Sequence, residues 1–285
     1  MTNSVPQSFD SLLPPAMADK AIQVGIQKSK SDFLTLFVLS TMAGAFIAFG
    51  ALFSTVVTAG AAPVLPYGLQ RLLAGLAFSL GLILVVVGGA ELFTGNMLII
   101  MAFLKKQIPF KAVLRNWVIV YFGNFAGSLV TVAIIFLGKH YLSGHGVIGL
   151  NILNIGEAKT SLGFLQAIML GIMCNAAVCM AVWLTYSARS TTDKIMAIIP
   201  PITAFVAAGF EHSIANMYFL PIALWVKYGA GSGFYEMIQK TPADFPHLTM
   251  NNFLIANLLP VTIGNIIGGA VMVGLVYYFV YLRKK

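Results

Sequence analysis

Residues 207–220 read AAGFEHSIANMYFL, and this stretch decides what kind of protein the chain is. Glu211 and His212 stand side by side near the middle of an otherwise apolar run, residues 195–226. Taking an ionisable pair out of water is costly unless it is partnered, so the run holds either a built interruption or a site. A second run has the same design. Residues 72–104 carry a single charge, Glu91, near their centre. As continuous helix, those 33 residues would reach roughly 50 Å, against about 30 Å of bilayer hydrocarbon. Both runs are too long for one straight crossing, and both are interrupted near the middle.

The rest of the chain sets the frame. Of 285 residues, 59% are hydrophobic and 9% charged, where a soluble domain carries about 25% charge. This is the composition of an integral membrane protein, and all-α is the expected class. Further apolar runs at 33–57, 116–138, 161–188 and 250–282 bring the expected number of transmembrane helices to six. The net charge of +8 does not point to nucleic acid, because the cations fall between the runs. With both termini in the cytoplasm, that side holds twelve Lys and Arg residues. The far side holds five: Arg71, Lys139, Lys159, Lys227 and Lys240. The asymmetry predicts N-in, C-in. The expected layout is a cytoplasmic segment 1–30, a membrane domain 31–282 and a cytoplasmic end 283–285.

Residues 1–30 contain no apolar signal-peptide run. Ala18, Ile22 and Ile26, with Lys20 and Lys28, predict a short amphipathic helix. Its simplest use is packing at the interface against a neighbouring subunit, and a pH-responsive plug is the sharper one. Cys174 and Cys179 read as small packing residues, and His140, His145 and His247 as solvated loop residues.

The two interrupted runs match each other. Glu91 is followed by Asn96-Met97, and Glu211 by Asn216-Met217. The next run of each half carries Gly-Asn-x-x-Gly, at Gly123–Gly127 and Gly264–Gly268. Two motifs in the same order predict an internal repeat, 31–140 and 160–282. Three crossings per half turn the second half upside down, the architecture of transporters and channels with a path between the repeats. The second and fifth helices are then broken, with Gly88, Gly89 and Gly209 supplying the backbone angles a break requires. A carboxylate there can accept the N–H groups of the following half-helix. Asn124 and Asn265 are polar at membrane depth and should face the interior.

GGAELFT (88–94), GFEHSIANM (209–217) and NLLPVTIGNIIGG (257–269) resemble the signatures of the formate/nitrite transporter family. The resemblance covers nearly the whole chain, from LLPPAMADKA (12–21) to YLRKK (281–285). It implies an aquaporin-like fold, a homopentamer with one pore per subunit, no cofactor and no metal, in a bacterial inner membrane. It implies formate and related small monovalent anions as cargo, nitrite and hydrosulfide being alternatives. It also implies His212 at the midplane and Asn265, Thr94, Asn175 and Lys159 along the path. The apolar constrictions would be Leu82 and Phe78 on one side and Phe205 on the other, with a gating loop around Leu92–Asn96. Glu91 stands where some members carry Asp.

An anion stripped of water needs donors at the midplane or a proton. Histidine titrates near neutral pH, and burial and the adjacent Glu211 act on that value in opposite directions. Passive conduction and formate–proton symport therefore both stay open. For His212 a bracing role stands beside the pore role, and for Glu211 and Glu91 so does a capping role. No H-E-x-x-H, G-x-x-x-x-G-K-[ST] or G-x-S-x-G motif is present, which argues against a zinc enzyme, an ATP-driven pump and a serine hydrolase.

Overall fold

The computed structural model describes residues 10–62 and 64–283. Residues 1–9 of the expected cytoplasmic segment, Pro63, and Lys284 and Lys285 of the expected carboxyl end lie outside the described residues. Helix α1 is Pro14–Lys30, α2 Phe33–Thr58, α3 Tyr67–Gly88, and α4 Gly95–Leu104, which opens as a tight 3₁₀ turn. Then come α5 Phe110–Leu137, α6 Val147–Thr160, α7 Phe164–Ser187 and α8 Thr191–Ala207. The chain ends with α9 Ser213–Gly229, α10 Ser232–Ile238 and α11 Asn252–Tyr281. Among the described residues there is no strand.

Five helices are long and apolar enough to cross a bilayer: α2, α3, α5, α7 and α11. The run 195–226 appears as α8 and α9, 17 residues each, on either side of a break. The run 72–104 divides in the same way into α3 and α4. Large apolar side chains such as Phe33, Phe49, Phe122, Leu137, Phe164 and Val280 are exposed, as expected of a lipid-facing wall. Inside, α3 and α8 pack face to face, α2 lies against α3 and α5, and α7 lies against α8 and α11.

The repeat extends further than the motifs suggested. Residues 139–160, between the expected spans 116–138 and 161–188, contain α6. Its buried residues Ile148, Gly149, Ile152, Leu153 and Gly156 follow a helical spacing that was legible in the sequence. In α1 the buried residues are Met17, Ala18, Ala21, Ile22 and Gly25. The two sets match position for position at one constant offset, and the same offset carries Lys28 onto Lys159. Each half therefore begins with its own short helix, at Pro14 and Val147, instead of at 31 and 160.

The short amphipathic helix expected here is α1. Its buried face lies on α4, α5 and α7 of its own chain. Lys20 Nζ donates to the Tyr186 carbonyl (3.0 Å). Burial, with Lys194 and Arg189 nearby, holds the Lys20 ammonium below its ordinary pKa. His247 is exposed, as expected, and its Nδ1 also lies 2.6 Å from Glu157 Oε1. Both cysteines are free and buried.

Candidate functional site

The two breaks are built alike. Gly89 closes α3 with φ +76°, and Ala90 N–H reaches back to the Val85 carbonyl (2.9 Å). Gly209 follows α8 with φ +77°, and Phe210 N–H reaches back to Phe205 O (3.1 Å). This is a left-handed helix stop that glycine adopts without strain. Gly88 sits one residue earlier, the last of α3.

Beyond each stop the glutamate turns into a polar lock. Lys28 Nζ donates to both Glu91 oxygens (2.9 Å each) and to Asn96 Oδ1 (2.8 Å). Asn96 Nδ2 donates to Glu91 Oε2 (2.7 Å) and to Asn116 Oδ1 (2.9 Å), and Asn116 Nδ2 returns to the Lys28 carbonyl (3.3 Å). In the second half, Lys159 Nζ donates to Glu211 Oε1 (2.7 Å). Asn216 Nδ2 donates to Glu211 Oε2 and to Asn257 Oδ1 (2.7 Å each), and Asn257 Nδ2 to the Lys159 carbonyl (2.9 Å). The glutamates thus accept from lysine and asparagine side chains. They do not cap the following half-helices, as the sequence had suggested. Lys28, Asn116 and Asn257 were missed. The asparagines left a signal, since each stands eight positions before the Asn of Gly-Asn-x-x-Gly.

Those later asparagines hold the break backbone. Asn124 accepts Phe93 N–H (2.9 Å) and donates to Ser40 O (2.7 Å) and Glu91 O (2.9 Å). Asn265 accepts Ser213 N–H (2.9 Å) and donates to Gly171 O (2.8 Å) and Glu211 O (3.0 Å). Both donors of each amide are used, and each oxygen accepts one bond. Asn175 supports Asn265 through its carbonyl (2.6 Å). Asn265 and Asn175 line neither of the cavities described next.

Two vestibules enter the protein from opposite faces. One, on the face of the termini, is a cavity of about 470 Å³ whose lining includes Lys28, Leu82, Glu91, Leu92 and Asn96. The other, about 320 Å³, is lined by Arg71, Phe78, Lys159, Phe205, Glu211 and His212, among others. The structure therefore parts Phe78 from Leu82. Phe78 meets Phe205 edge-on, ring centroids 5.7 Å apart, in the far vestibule. Phe205 lies nearly parallel to the His212 ring, 5.9 Å away.

His212 joins the two sides. It is the N-cap of α9, and its Nδ1 accepts the Ala215 N–H (3.0 Å). The ring proton of the neutral form therefore sits on Nε2, which donates to Thr94 Oγ1 (3.0 Å). Thr94 stands at the N-cap of α4, but its side chain makes no capping hydrogen bond. It accepts from His212 and keeps its own hydroxyl proton to donate. Leu92, two residues before it, lines the other vestibule. A hydroxyl and an imidazole N–H thus span the interval between two apolar-walled cavities, each with a lysine–glutamate pair. This suits the passage of a small solute that accepts hydrogen bonds.

Fold and site together define a membrane channel or transporter built from two inverted halves. The chain belongs to the formate/nitrite transporter family, whose family model matches residues 15–279. It is 44% identical to the formate channel FocA of Escherichia coli K12 over 97% of both chains. Among solved structures it is similar to a pentameric formate channel with formate bound, at TM-score 0.84 and 47% identity over 88% of this chain and 98% of that one. An ion channel of the same family superposes at TM-score 0.78 and 26% identity, over 93% and 98%.

Proposed function

We propose that the chain conducts formate, and related small monovalent anions such as nitrite, through one pore in each subunit of a homopentamer in a bacterial inner membrane. Both termini face the cytoplasm, the orientation the charge asymmetry favours. The observation that carries the reading is the His212–Thr94 pair between the two vestibules. An anion leaving water loses its hydration, and these donors replace part of it. Phe78 and Phe205 on one side and Leu82 on the other exclude hydrated ions. Glu91, Glu211, Asn265 and Asn175 hold the breaks open, and Lys28 and Lys159 give each vestibule a cation. No cofactor takes part.

Formate–proton symport is the second reading, and the cap geometry bears on it. A neutral His212 that lends its Nε2 proton is left as imidazolate. A second proton must sit on Nδ1, where it faces the Ala215 N–H and displaces the cap. Hydrogen-bond donation is therefore favoured over proton lending. The test is formate, nitrite and glycerol flux into liposomes holding the purified protein, across acid to neutral pH, for wild type and His212→Asn. Formate and nitrite uptake without glycerol uptake is expected. Wild type that passes no formate removes the reading. A pH dependence present in wild type and lost in His212→Asn would move the mechanism to symport.

A further inference from the structure

The two vestibules differ in charge. On the face of the termini, Lys28 and Glu91 are the only fully charged groups in the lining among the described residues, and they cancel. In the far vestibule Lys159 and Glu211 cancel likewise, but Arg71 adds one cation. Arg71 forms no ion pair among the described residues.

Its guanidinium is held in one orientation. Nε donates to the Ala207 carbonyl (3.3 Å) and Nη2 to the Val206 carbonyl, at the carboxyl end of α8. A cation at that end of a helix is favourable. These two bonds occupy one edge of the planar fork. Two N–H on Nη1 and one on Nη2 remain without a protein partner, and they form the other bidentate edge. Lys159 has donors to spare too. Lys28 uses three, while Lys159 makes one side-chain hydrogen bond and stands 5.4 Å from the Phe219 ring. Asn216 Oδ1, the counterpart of the acceptor that Lys28 holds, is left unpartnered.

We infer that Arg71, which shares this lining with Lys159, is a docking site in the far vestibule for a planar anion with two oxygens on one atom, a carboxylate or nitrite. The site receives the anion before it meets Phe78, Phe205 and His212. The inference rests on the anion-transport reading and deepens it by naming a residue that prefers such anions to a single-atom anion. A fork of two parallel N–H groups matches two oxygens and gains nothing from chloride.

Two measurements test it. In the first, half-saturating formate and nitrite concentrations are measured in liposomes for wild type, Arg71→Gln and Arg71→Lys. Arg71→Gln should raise them about tenfold, as loss of a charge-assisted hydrogen bond does, with the lysine variant in between. A fall in maximal rate with no change in half-saturation would leave Arg71 as a helix staple and overturn the inference. The second uses wild type alone, so it does not depend on how the variants fold. Phenylglyoxal modification of Arg71 is followed by mass spectrometry of its peptide. Formate or nitrite should slow it severalfold, and chloride at equal ionic strength should not. Equal protection by chloride, or none by formate, overturns the site. If wild type passes no formate while formate still protects Arg71, the transport reading falls and the docking site stands.

Discussion

Replacing Asn265 by Asp changes one atom and should cost most of the second helix break. The new side chain keeps an oxygen for the Ser213 N–H at 2.9 Å. The other position turns from a donor of two hydrogen bonds into an acceptor. The carbonyls of Gly171 and Glu211, 2.8 and 3.0 Å away, lose their donor and face a like partner. Asn265 is fully buried, so no water takes over. Each buried polar group left unmade costs about 1–3 kcal/mol, giving about 3–9 kcal/mol for the two carbonyls and the new oxygen together. At about 2–4 °C per kcal/mol for a chain of this order, the thermal midpoint should fall by at least about 6 °C. Dye-monitored unfolding in detergent reads this directly. Asn124→Asp should lose a similar amount, because its two donated bonds run to Ser40 and Glu91 at 2.7 and 2.9 Å. Asn175→Ala, which removes one bond at 2.6 Å, should lose much less. If Asn265→Asp melts within about 3 °C of wild type, the amide is not the brace of the break, since that shift corresponds to about 1 kcal/mol.

Lys28→Met should destabilise by about 3 kcal/mol by leaving Glu91 buried with no cation, and Lys28→Met combined with Glu91→Gln should recover most of the midpoint. Gly209→Ala should cost about 1–2 kcal/mol of left-handed strain, read as a lower melting midpoint. Gly163→Ala, at φ −69° with open space around it, should be silent. Asp193 caps the start of α8, and the backbone N–H of Arg189, then Ser190, hold its carboxyl below the usual pKa. Its folded value is depressed, so its contribution is present above the unfolded value of about 4 and is lost as pH falls through the folded one. The midpoint difference between wild type and Asp193→Asn should therefore be steady near neutral pH and shrink as the buffer is taken below about pH 4.

The breaks were legible because each announces itself locally. A charge inside an apolar run longer than a bilayer, with glycine just before it, does not fit a straight crossing helix. The locks were not legible as units. Lys28 reads in sequence as one of several cytoplasmic cations. Only folding brings it to Glu91, and its distance along the chain differs from that between Lys159 and Glu211, so no fixed spacing links the pairs. The α6 helix was overlooked because it is too short for a span and its glycines weaken the apolar signal. Asn265 and Thr94 were legible as important but not in their contacts. An asparagine at membrane depth must satisfy its amide, and the sequence does not say whether backbone or cargo does so. Phe78 and Leu82, four residues apart, share one face of α3 and part only by depth, one opening to each vestibule, and composition does not say where between them the path closes.

The placement of Lys28 has a mechanical consequence. It lies in the last turn of α1, tied to Glu91, Asn96 and Asn116 at once, and Arg115 holds the Ser31 carbonyl just beyond it (2.9 Å). The end of α1 nearest the membrane is thus fixed. The other end is tied as well, with Lys20 on the Tyr186 carbonyl and Ser187 on the Leu12 carbonyl, so α1 is fastened to the membrane domain at both ends and walls the vestibule as a rigid strut.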